Sequence, residues 1–136
     1  MAKEIINPSK LAQPRGFSHG IATTGGKLLF LAGQDAGDAS GRIVAPNDLV
    51  VQCEQVLSNL QAVLRAAGGE MTDIVKLNVY VRDRDLYREQ LKPLGELFRS
   101  YFGRYYPAMA LFEVTGLFQD DALIEMEGFA VLGAEG

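Results

Sequence analysis

With 136 residues the chain is long enough for one domain and short for two, so a single domain over residues 1–136 is expected. Its 48% hydrophobic and 22% charged content is that of a folded globular chain, and a net charge of -4 excludes a surface built to neutralise nucleic-acid phosphates or to dock on anionic lipid. One cysteine, one histidine and no apolar run of membrane-spanning length leave no intrachain disulfide and no two-imidazole metal site, and they point to a reducing, cytoplasmic setting with no membrane partner, metal or cofactor.

In chain order, the prolines at 8 and 14 are followed by FSHGIATT and KLLFLAGQ, two short β-prone runs. Thr24-Gly25-Gly26-Lys27 between them suits a hairpin turn that needs positive φ. DAGDASGRIVAPN reads as a loop with a short strand at Arg42–Val44. A helix is expected next, N-capped by Asn47, with Leu49, Cys53, Val56, Leu57, Leu60, Val63, Leu64 and Ala67 on its apolar stripe and Gly68-Gly69 as its stop. Gln52, Gln55, Asn59 and Arg65 fall on its polar side, and Cys53 reads as a buried small hydrophobe.

DIVKLNVYV alternates, with Val75, Leu77, Val79 and Val81 one way and Lys76, Asn78 and Tyr80 the other, as a strand with one face on a core does. A helical region follows from about Asp85 to Phe102, divided by Pro93 and ended by Gly103. Two strands, MALFEV and LIEMEGFAVL, close the chain around GLFQDDA. The expectation is an α+β domain with helices on one face of a mixed sheet. Tyr80, Leu111 or Phe112 would lie on the uncovered face, and a patch of that kind usually meets another subunit.

Candidate chemistry is sparse. Glu125 and Glu127 are two residues apart on one side of a strand, about 7 Å along it. They are either two solvated carboxylates or a pair in which one lines a cleft and has its pKa raised by burial and a like charge. His19 has no acidic or thiol companion fixed by sequence and reads as a hydrogen-bonded structural histidine rather than a base. GQDAGDASG lacks the strand-to-helix setting and the Lys-Ser/Thr ending of a phosphate loop. The arginines between 82 and 104 alternate with acids, as on a solvated helix face.

In NPSKLAQPRGFSHGI, LLFLAGQ, LRAAGGEMTDIVKLNVYVRD, and YPAMALFEV followed by IEME, the chain resembles the Rid/YjgF family, often labelled endoribonuclease L-PSP, over nearly its whole length. The resemblance implies a chorismate-mutase-like fold and a homotrimer with small-molecule ligands in clefts between subunits. Members with deaminase activity hydrolyse enamines and imines to ketoacids and ammonia. In them an arginine grips the substrate carboxylate, a glutamate handles water, and a tyrosine and a serine complete the pocket. Carried over by position, the glutamate is Glu125, the arginine is replaced by Met109, the tyrosine by Phe17 and the serine by Ala32. Gly33, beside Ala32, and Leu111, two residues past Met109, complete the expected ligand-binding set.

Losing a bidentate partner for a buried carboxylate typically costs about 3–5 kcal/mol. Three readings follow. One is a divergent hydrolase acting on a less anionic enamine, imine or related metabolite through Glu125, with Arg15 as a substitute charge. Another is a non-catalytic ligand-binding or regulatory trimer. The third, RNA cleavage, runs against the acidic composition.

Overall fold

The computed structural model describes residues 3–134. Its elements run β1 (Lys3–Ile6), β2 (Gly20–Thr23), β3 (Lys27–Gln34), α1 (Leu49–Ala66), a single 3-10 turn (Met71–Asp73), β4 (Ile74–Val81), α2 (Arg84–Glu89), α3 (Leu91–Phe102), β5 (Ala108–Glu113) and β6 (Ile124–Leu132). Four strands form one sheet in the order β3-β6-β4-β5, and β1 and β2 pair separately. β4 and β5 are parallel, so the chain must cross over between them, and α2 and α3 supply that crossover. The other pairs are antiparallel, and the mixed sheet with helices on one face is as expected.

α1 buries Leu49, Cys53, Val56, Leu57, Leu60 and Leu64 against the sheet. Its cap is Asp48, one residue later than expected, whose carboxylate accepts from Val51 N at 3.1 Å. Val63 remains exposed at the edge of the stripe. Gln52 departs most from the polar face drawn for it, because it is fully buried. Its amide donates to Ala45 O and Asp121 O, both at 3.0 Å, and its oxygen accepts from Leu123 N at 2.8 Å. A buried amide is stable only when its bonds are satisfied, and here they tie the loop before α1 to the loop before β6.

The division of the second helical region falls at Gln90, where φ is -112 and ψ is 22, and not at Pro93. Pro93 lies in the first turn of α3, where a backbone N–H has no intrahelical acceptor to lose. Gly103, with φ of 65, ends the helix as expected.

In β4 the strict alternation fails at one residue. Ile74 opposes Ala130 and Lys76 opposes Phe129, leaving Val75 as the extra residue of a bulge. The core face is therefore Ile74, Leu77, Val79 and Val81, with Val75 only half-buried. Gly128 lies against this irregularity, and a Cβ there would drive into the Lys76 carbonyl.

Two strand expectations change near the start. Gly25 and Gly26 do adopt positive φ, 70 and 79, but β2 and β3 do not pair across them. β2 is occupied by Lys3–Ile6, a four-residue segment too short and mixed to read as a strand, and β3 by β6. Residues 42–44 form no strand, only an isolated bridge between Gly37 and Ile43 that brings Ile43 into the core.

The uncovered face of the sheet is apolar at both ends. Phe30 and Phe129 meet edge-on at 5.4 Å, and Tyr80 stacks on Phe112 at 5.6 Å. Phe30 is 68% exposed and Phe112 48%. Leu111 pairs in register with Val79 and so belongs to the helix side, which leaves Phe112 as Tyr80's neighbour.

Candidate functional site

Four polar residues of the uncovered face, on β4 and β6, lie together. In register, Glu125 lies opposite Tyr80, and Glu127 opposite Asn78. Tyr80 donates its hydroxyl to Glu127 Oε2 at 2.5 Å, with Asn78 Nδ2 at 3.4 Å from the same oxygen. That hydrogen bond, more than burial, holds the Tyr80 phenol above its usual pKa. Glu125, half-buried, is different. Its carboxyl is raised above the ordinary 4.5, first by burial and then by the charges of Asp35 and Glu127.

Its position is set by the backbone of β3. The β3–β6 register slips between Leu31 and Gln34, and in that stretch Gly33 lies directly under the Glu125 carboxylate. A Cβ at Gly33 would collide with Glu125 Oε2 and approach Cδ to 3.1 Å. Ala32, the neighbouring residue of the expected set, is exposed. Asp35 is held close by α1, since Asn59 Nδ2 donates to Asp35 O at 3.1 Å and to Gly37 O at 2.9 Å. Asn59, read as part of the polar side of α1, thus holds the backbone that carries the second acid of the site. A half-buried carboxyl of raised pKa beside two further acids holds a proton more firmly than a free carboxyl does, as a group that takes up and returns a proton must.

Phe17, Met109 and Leu111 come together elsewhere. They line a hollow of about 490 Å³ between β5 and helices α2 and α3, with Arg15 and Arg99 also in its wall. Met109 pairs in register with Leu77, whose side chain faces the core, whereas Glu125 pairs with Tyr80 on the opposite face. Within one chain the hollow and the carboxylate are therefore on opposite sides of the sheet.

The remaining candidates are structurally accounted for. A His19 ring nitrogen, Nε2, is 2.8 Å from Ala12 O, and the ring meets Phe17 edge-on at 5.2 Å, which fits the structural role read for it. Cys53 is fully buried, and burial pushes its thiol up to about 12. The Asp38 carboxylate accepts from Ser40 N, Ser40 Oγ and Arg42 N, so the loop closes on itself. Among the described residues no group of three or more His, Cys, Asp or Glu is placed to hold a metal ion, and no helix is long and apolar enough to cross a membrane.

Comparison with known proteins agrees with this architecture. The family described as endoribonuclease L-PSP matches residues 8–132. A RutC family protein of Pyrococcus abyssi is 35% identical over 131 residues, covering 96% of this chain and 98% of that one. A 2-iminobutanoate/2-iminopropanoate deaminase of Rattus norvegicus is 28% identical, covering 96% of this chain and 91% of that one. Among solved structures, YyfB of Yersinia pestis, a Rid-family protein of unknown function, superposes with a TM-score of 0.87 at 36% identity, over 97% of this chain and all of that one.

Proposed function

The chain belongs to the endoribonuclease L-PSP family, the Rid or YjgF proteins, and from that premise we propose that it is a divergent hydrolase of enamines, imines or related metabolites. The reaction takes place in a cleft between identical protomers of a homotrimer, with Glu125 handling the water. The observation that carries the reading is the Glu125 carboxylate, held half-buried over Gly33 with its pKa raised. Relatives named as 2-iminobutanoate/2-iminopropanoate deaminases support the reaction class.

In the step proposed, Glu125 takes a proton from water as its oxygen adds to the C=N carbon. It then returns that proton to the nitrogen, giving a carbinolamine, and carries the hydroxyl proton of that intermediate to the same nitrogen as the C–N bond breaks, so that ammonia leaves and a carbonyl remains. The opposite facing of Met109 and Glu125 supports an intersubunit cleft, because the Glu125 of the same chain faces away from the hollow and that of a second copy can face it. The exposed apolar face beside Glu125, with Phe30, Phe112 and Phe129, supports burial of that face in the assembly.

Of the three departures from the family pattern, Met109 bears most on the substrate. A thioether offers no grip for the small ketoacid carboxylate that an arginine would hold, so the substrate differs from 2-iminopropanoate. The apolar lining at Met109 and Leu111 favours, as a second reading, a ligand-binding trimer without turnover. Ammonia release from a panel of enamines and imines, measured for the native protein and for Glu125→Gln, separates the two. Hydrolysis requires at least about a hundredfold lower rate in the variant. Equal rates remove Glu125 from the chemistry.

A further inference from the structure

The hollow between β5 and helices α2 and α3 has a composition that the family pattern does not explain. Among the described residues no aspartate or glutamate lines it, although acidic residues outnumber basic ones in the chain, 17 to 13. Two arginines, Arg15 and Arg99, do line it, and both are exposed. Neither has a carboxylate partner among the described residues, where the single ion pair is Arg65–Glu70 at 4.0 Å. Inward of them the wall is apolar and aromatic, including Phe17, Leu94, Phe98 and Met109. Unpaired guanidiniums over a greasy floor are complementary to an anion with an apolar body.

The helix wall carries a second mark. Gly95 lines the hollow in the second turn of α3, although glycine inside a helix is about 1 kcal/mol worse than alanine. A Cβ at Gly95 would meet nothing within 4 Å, so packing does not require the glycine. Its absence of side chain keeps the hollow open.

We propose that this hollow binds a monocarboxylate with an aromatic or branched apolar body, its carboxylate on Arg15 and Arg99 at the mouth and its body against Phe17, Phe98 and Met109. The orientation is opposite to one anchored at position 109, with the charge outward and the apolar end innermost. The assignment rests on the same cleft as the proposed hydrolysis and names its substrate class, the imines of large apolar 2-oxo acids.

Titration calorimetry with phenylpyruvate, pyruvate and benzyl alcohol tests it. Phenylpyruvate is expected to bind at least about tenfold tighter than either of the others, which lack the body or the charge. Arg15→Ala and Arg99→Ala each weaken phenylpyruvate about tenfold without affecting benzyl alcohol. Gly95→Leu, which fills the hollow from a stable helix, abolishes binding while the melting temperature holds or rises. Equal affinity for pyruvate, or binding unchanged in Gly95→Leu or in both arginine variants, overturns the assignment. Imine turnover that survives Gly95→Leu overturns this ligand class and leaves hydrolysis standing. Tight phenylpyruvate binding without ammonia release from any imine does the reverse.

Discussion

Gly33→Ala separates the position of the Glu125 carboxylate from the stability of the fold. The backbone at Gly33 is not left-handed, so alanine carries no conformational penalty there, and it gains about 0.4–1 kcal/mol by restricting the unfolded chain. Against this, the new methyl would meet Glu125 Oε2, with Cδ at 3.1 Å. The obstacle is the end of a flexible, half-buried side chain, and turning it aside costs about 0.5–1.5 kcal/mol. The two effects nearly cancel, leaving the melting temperature within about 4 °C of native. The carboxylate, however, moves by about 1 Å, a misplacement that costs about a hundredfold in rate. Gly128→Ala provides the contrast. Its Cβ would strike the Lys76 carbonyl, with Lys76 C at 3.1 Å and Leu77 Cα at 3.3 Å, and backbone at the centre of a sheet cannot turn aside. A loss of about 3 kcal/mol or more is expected, with melting and activity falling together. Thermal melts and ammonia release on the two variants read both effects. Full activity in Gly33→Ala would refute the catalytic placement of Glu125, and equal destabilisation of both would refute the distinction between a mobile and a fixed obstacle.

Gln52→Leu removes three buried hydrogen bonds and strands Ala45 O, Asp121 O and Leu123 N, so a loss of about 3 kcal/mol is expected in chemical denaturation. The pH dependence of stability follows from Glu125. Its folded pKa lies above the unfolded value, so the folded state binds the extra proton and stability falls as pH rises from the ordinary 4.5 through the raised value. Glu125→Gln should therefore melt higher than the native protein at neutral pH, and the difference should vanish below the ordinary carboxylate range. A difference independent of pH would contradict the burial of that charge.

Elements whose residues pack by simple periodicity were readable in the sequence. The stripe of α1 and the alternation of β6 needed no tertiary information, and the family motifs brought in Glu125 with them. What escaped depended on partners distant in the chain. Gln52 looks like any polar helix residue until Asp121 and Leu123 come to it from the far end. β1 is a strand through its pairing with β2, and the β4 bulge lies against Gly128, which leaves room for the Lys76 carbonyl. Asp35 joined the site through Asn59, and only a Gly-Gln-Asp run after a strand hinted at it. The opposite facing of Met109 and Glu125 was implicit in sheet order, which no local pattern specifies.

The central claim is that the Glu125 of one protomer serves the hollow of another, and subunit mixing tests it most directly. Glu125→Gln and Met109→Trp, the latter filling the hollow, should each be inactive alone as folded trimers. Refolded together in equal amounts, they should regain about a quarter of the native rate, because one site in four then pairs an intact hollow with an intact carboxylate. No recovery on mixing, with hetero-oligomers demonstrably formed, would contradict the shared cleft.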